Sequence, residues 1–129
     1  MERGIISIEK KRVTVVLSPE GSIQMTAEEI ASLFYVTTAS IERHIKKIFA
    51  EQMLYEYEVR TKQMKIFGNR RCVTEYYNLD MVVALSFRID SDSSKAFRRW
   101  LGELVLQALK TKPLLPIILQ IPIHTGKAN

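Results

Sequence analysis

Cysteine is nearly missing from this sequence. Cys72 stands alone in 129 residues, so no internal disulfide framework can form, and the chain suits a reducing compartment, giving the expectation of a cytoplasmic protein. On a strand, such a lone cysteine is most simply a small buried apolar residue. Histidine is scarce too, His44 and His124 being the only two. There is no Cys-x-x-Cys, His-Glu-x-x-His, Walker loop or glycine-rich fingerprint, hence no set of ligands and no paired nucleophile and base. The expectation is a protein that is not an enzyme and carries no cofactor or metal. No apolar run approaches the roughly 18 residues that cross a bilayer, and MERGIISIEKKRV has no apolar core of secretory type, so neither a membrane span nor a signal peptide is expected.

What is present is 47% hydrophobic residues, 26% charged residues and a net charge of +5. That composition is one soluble domain with an adequate core and a preference for an acidic partner. The central stretch is TAEEIASLFYVTTASIERHIKKIF, residues 26–49. Thr26 and Glu29 have the spacing of a capping box, and Ile30, Leu33 and Phe34 share one helical face beside Ala27 and Ala31. Tyr35-Val36 breaks the pattern. Thr37 caps a second helix in which Ile41, Ile45, Ile48 and Phe49 recur at helical spacing. This is the arrangement of a helix-turn-helix, which offers its second helix to the DNA major groove. Tyr35 stands where the turn wants a positive φ, so strain is expected there.

Around this unit, residues 5–17 alternate loosely. Ser18-Pro19-Glu20-Gly21 makes a turn, and Ser22–Met25 returns as a short strand, predicting a β-hairpin ahead of the first helix. The cluster Lys10-Lys11-Arg12 reads as a solvated strand edge. Val59–Phe67 and Arg70–Tyr77, joined at Gly68-Asn69, predict a second hairpin carrying Arg60, Lys62, Lys65, Arg70 and Arg71 with no acid between them. Placed after a helix-turn-helix, it has the layout of a wing. Asn78 caps a buried helix from Leu79 to about Phe87, with Asp80 in its first turn. A last helix runs from about Ser94 to Leu109, with Phe97, Trp100, Leu101, Leu104, Val105 and Ala108 as its apolar stripe. Residues 111–129 form a separate apolar tail with three prolines between Pro113 and Ile123, which suits neither a helix nor a central strand.

Candidate DNA-contacting residues follow from these positions. Thr38, Ala39, Glu42, Arg43 and Lys46 face outward from the second helix, and Thr37 at its cap is counted with them. Arg43 suits a guanine, Ala39 a thymine methyl, and Thr38 a base or phosphate. Glu42 suits a cytosine or, as the preferred reading, a solvated charged face. Lys46 and Lys47, with Lys65, Arg70 and Arg71 of the wing, suit phosphates. His44 reads as a packed or phosphate-facing imidazole. Arg98 and Arg99 serve equally as a second phosphate patch or a solvated face.

The pieces MTAEEIASLF, VTTASIERHIKKIF, EYYNLDMVVALSFRIDS and KAFRRWLGELVLQAL together resemble the RhuM family of bacterial virulence-associated proteins, which belongs with the phage and virus DNA-binding modules of KilA-N and BRO type. The likeness covers roughly residues 22–109. Its YYNLD and FRRW blocks are the most specific, because generic helix-turn-helix physics requires neither. Tyr35 departs from the glycine and Ala39 from the proline common there, so a DNA-site preference does not carry over. The resemblance implies a DNA-binding domain carried on mobile elements.

The expectation is therefore an α+β winged helix-turn-helix in residues 1–110, with a basic hairpin wing and two closing helices. It would bind double-stranded DNA sequence-specifically as a transcriptional regulator, as a homodimer through the last helix and tail. The rival from another class is a protein-interaction module on the same scaffold, its basic face meeting an acidic partner.

Overall fold

In the computed structural model, residues 2–111 are described, and the Pro-rich segment singled out above lies outside them. The class is mixed α+β. Among the described residues the order is β1 (Ile5–Glu9), β2 (Arg12–Val16), α1 (Ala27–Phe34), α2 (Thr38–Ala50), α3 (Glu56–Val59), β3 (Arg60–Phe67), β4 (Arg70–Tyr77), α4 (Leu79–Ser86) and α5 (Asp92–Thr111). The strands form two separate antiparallel hairpins, β1-β2 and β3-β4. The chain divides into two units, Met1–Arg98 and Arg99–Asn129, and no described helix is long and apolar enough to cross a membrane.

The first unit is built on α1, α2 and α4. Ile30, Phe34, Ile41, Ile48, Met81, Val82 and Leu85 are all fully buried, and they lie at the helical spacing read from the sequence. Phe97, from the first turns of α5, closes this core edge-on against Phe34, with ring centroids 5.8 Å apart. Ser91 and Ser94 cap α5 reciprocally, each hydroxyl accepting from the other's backbone N–H. The predicted apolar stripe of the last helix is corrected past that point. Leu104 and Val105 of that stripe, in the second unit, are exposed, as is Leu106 beside them, because a 3.6-residue period shows which side chains share a face but not whether anything covers it.

The N-terminal hairpin also differs from its expectation. Its turn is Lys10-Lys11, both residues left-handed with φ 49° and 63°, so the two lysines of the basic cluster make the turn and only Arg12, exposed at the start of β2, lies on a strand. Pairing Ile6 with Val15 and Ile8 with Val13 puts the apolar side chains on one face, and a two-residue turn of this hand matches the strand twist. Ser18–Gly21 does turn the chain, Gly21 N–H donating to Ser18 O at 2.8 Å. Ser22–Met25 does not return along β1, however. Gln24 N–H donates to Gly4 O, and Met25 exchanges two backbone bonds with Tyr77, of 3.0 and 2.8 Å, at the end of β4. The crossing at Gly4 is so close that a Cβ there would lie 1.9 Å from Ser22 O.

One ion pair ties these segments together. The predicted capping box is present, Thr26 Oγ1 accepting from Glu29 N–H and Glu29 Oε1 from Thr26 N–H. Arg3 grips both oxygens of Glu29, at 2.7 and 2.8 Å, donates to Gln24 O and lies 4.8 Å from the centre of the Tyr76 ring. The hydrogen bonds from Arg3 hold the Glu29 carboxyl below its ordinary value of 4.5. A lowered carboxylate stabilises the fold above its ordinary value, and that stability is lost as pH falls through the folded one. Glu29→Gln is expected to cost about 1 kcal/mol at pH 7, kept small because the pair is partly solvated. The difference from the parent should shrink as pH falls below 4.5, read from urea midpoints along a pH series.

The turn between α1 and α2 follows the strained prediction. Tyr35 is left-handed (φ 56°, ψ 48°). It closes α1 with Tyr35 N–H donating to Ser32 O and Val36 N–H to Ala31 O, the double bond of a Schellman motif. Its ring is 76% exposed, so packing gives little in return for the conformation. Tyr35→Gly should relieve about 1 kcal/mol and hold or raise the melting temperature by a few degrees. A fall of several degrees in thermal unfolding would instead make the ring an anchor.

Candidate nucleic-acid interface

The α2 helix is placed by its cap and its buried face. Thr37 Oγ1 accepts from Ser40 N–H at 3.1 Å, while Ile41, Ile45 and Ile48 turn inward. Helical geometry then sends Ala39, Glu42, Arg43 and Lys46 outward, where all four are exposed. They line an open cleft of about 420 Å³ whose other wall is the base of the β3-β4 hairpin, at Arg60, Glu75 and Tyr77. Thr38 is half-buried, and Lys47 is exposed but lies outside the cleft lining. No ion pair joins Glu42 to Lys46 among the described residues.

The hairpin base is held from both sides. Besides the Met25–Tyr77 bonds, Asn78 N–H donates to Val59 O and the Asn78 amide to Glu58 O, while Asn78 Oδ1 caps α4 through Met81 N–H. Arg60 belongs to this support. It is ion-paired with Glu56, donates from Nε to the Tyr77 hydroxyl at 3.3 Å, and lies over the rings of Phe49 and Tyr77. Burial raises the Tyr77 phenol above its ordinary range, and Arg60 partly offsets this. Glu75 comes within 4.0 Å of Arg60 and 3.8 Å of Lys62.

The five hairpin cations therefore divide. Arg60 and Lys62 are answered by acids, whereas Lys65, Arg70 and Arg71 are exposed with no ion pair among the described residues. Glu75 had a signal in the sequence, since counting back from Gly68-Asn69 sets it opposite Lys62, as the register confirms. By strand alternation Arg71 shares the face of Arg60 and Tyr77, which line the cleft, while Lys65 and Arg70 point to the other face.

Two further readings change, and the His44 reading narrows to its packed alternative. Cys72 is exposed, not buried, because neither face of the outer hairpin is covered in the first unit. Arg98 donates to the carbonyls of Ser86 and Ile89, where it satisfies the end of α4, so it is not a free phosphate ligand. His44 is half-buried, and its Nδ1 finds no hydrogen-bond partner among the described residues. Burial first, then the charges of Arg43, Arg88 and Lys47, push its imidazole below the ordinary range, as suits a neutral packed ring.

Sequence reasoning missed Tyr77 and Glu75 as walls of the cleft, which only chain pairing brings opposite α2. It also passed over Met64, Ile66, Phe67 and Val73, all exposed on the outer hairpin. Among the described residues, no three His, Cys, Asp or Glu side chains gather as a metal ion would need.

The arrangement offers an outward helix face, a cleft of mixed charge and a cationic hairpin tip, and what it can do is bind an anionic surface. Compared with known proteins, the chain matches no family model, no curated protein and no solved structure.

Proposed function

We propose that this chain is a sequence-specific double-stranded DNA-binding protein of winged helix-turn-helix design, with α2 as recognition helix and the β3-β4 hairpin as wing. The observation that carries the reading is the adjacency of two free surfaces. The outward face of α2, which no core contact uses, shares a cleft with a hairpin whose tip holds Lys65, Arg70 and Arg71 unpaired among the described residues. A duplex presents base edges in its major groove and phosphates along the rim, and such a pair of surfaces meets both. The resemblance to the RhuM family extends the reading to a transcriptional regulator carried on a mobile element.

In this reading the two surfaces contribute differently. Lys65, Arg70 and Arg71 act through phosphates, so replacing any one with alanine should weaken binding to preferred and random duplex alike and lower the salt slope by about one unit. Arg43 pairs with a base edge, and Arg43→Ala should lose roughly 1–3 kcal/mol on the preferred site and far less on random DNA. Fluorescence-anisotropy titrations at low and moderate salt measure both. Equal losses would make Arg43 a phosphate contact. No duplex binding at low salt would replace the DNA reading with the protein-interaction module.

A second copy belongs to the same proposal. Leu104, Val105 and Leu106 leave apolar surface on α5, and a two-fold dimer would set two recognition helices at half-sites about 34–36 Å apart. Sedimentation is expected to show a dimer that weakens on removal of residues 112–129. A monomer at every concentration rejects it.

A further inference from the structure

The outer end of the β3-β4 hairpin is not built as a plain phosphate rail. Ile66 is 64% and Phe67 61% exposed, and both sit at the very tip, directly before the turn. Met64 and Val73, paired across the ladder, continue the exposed apolar surface of Ile66 along the face that begins at the cleft, while Phe67 projects from the opposite face, so the tip is apolar on both sides. Each apolar tip residue has an arginine directly opposite it, Arg71 against Ile66 and Arg70 against Phe67, with Lys65 just before them on β3. An exposed apolar cluster of this kind marks an interaction surface.

The charge pattern selects the partner. A second copy meeting tip to tip would set unpaired cations against one another, and an apolar protein groove would leave three of them without counter-charge. A duplex minor groove supplies what both halves of the tip need. Its walls are sugar and base faces that apolar side chains can wedge between, and its rims are phosphates. The reach is also sufficient. From Arg60, where the hairpin is held, to Phe67 is seven strand steps, about 23 Å. A minor groove lies about half a helical turn, roughly 17 Å, from the major groove that α2 would occupy.

The geometry points to a DNA-bending wing: Ile66 and Phe67 enter the minor groove beside the site of α2 and open a base step, while Lys65, Arg70 and Arg71 bind the groove edges. The inference rests on the DNA reading above and deepens it. Bending follows from insertion. Apolar side chains wedged between base faces part the step, which widens the groove and kinks the duplex toward its major groove. A tip carrying serines in their place has no such wedge and binds only the phosphate rims.

The test uses the intact chain and a duplex of about 30 base pairs that it selects from a random pool, labelled at both ends for energy transfer. Binding by the parent should shorten the end-to-end distance to that of a bend of roughly 20–90°. Ile66→Ser/Phe67→Ser should still bind with an unchanged salt slope, since no cation is removed, and should leave the duplex straight. Arg70→Ala should lower the salt slope by about one unit. Melting temperatures of the variants check that the fold persists, and the exposure of both tip residues predicts that it does. A duplex bound by the parent but left straight overturns this inference and spares the DNA reading. So does a bend that survives in the double variant, or a parent dimer that the double variant abolishes. No duplex binding by the parent overturns both.

Discussion

The two backbone hydrogen bonds between Met25 and Tyr77 hold the helix pair and the second hairpin in register. They join the residue just before the cap of α1 to the last residue of β4, so the entrance to the helix pair and the exit from the second hairpin become one piece of backbone. Both residues are buried, which keeps water from competing for the bonds. Arg3 reinforces the junction by holding Glu29 and lying over Tyr76, next to Tyr77 in β4. Without this tie the β3-β4 hairpin would be a ribbon at the end of a short helix, free to take many angles to α2. With it, Arg60, Glu75 and Tyr77 stand as a fixed wall opposite Ala39, Glu42, Arg43 and Lys46.

The same junction decides which charges are structural. Near the base of the hairpin, Arg60 lies against aromatic rings and must be answered, and Glu56, Glu75 and the Tyr77 hydroxyl answer it. Arg98 is likewise consumed by the carbonyls at the end of α4. Toward the tip, burial falls away and Lys65, Arg70 and Arg71 remain solvated. A net charge of +5 therefore says little about where cations are available. Distance from the core separates charges that hold the fold from charges that can meet a partner.

Backbone strain is placed at the surface. Lys10, Lys11, Tyr35 and Gln52 all have positive φ without being glycine, and all four are exposed. Tyr35 and Gln52 end successive helices in the same manner, each followed by an N–H that reaches back across the last turn, Val36 to Ala31 and Met53 to Ile48. Each such residue costs on the order of 1 kcal/mol, which the buried faces of α1 and α2 offset.

The sequence by itself determined the local structure. The capping box at Thr26, the caps of α2 and α4, the inward faces of α1, α2 and α4, the left-handed Tyr35 and the hairpin turning at Gly68-Asn69 were all legible, because each depends on residues within a few positions of one another. It also determined which residues of α2 point away from the core, and hence Ala39, Glu42, Arg43 and Lys46 as one face. It did not determine what lies across from them, or that Ser22–Met25 would join β4 and not β1. Nor did it show that Cys72 and Leu104 would be uncovered, or that Arg98 would be spent on a helix end. Only the tertiary structure decided these. Coverage and charge pairing depend on contacts between residues far apart in the chain, and periodicity within one segment carries no information about its neighbour in space.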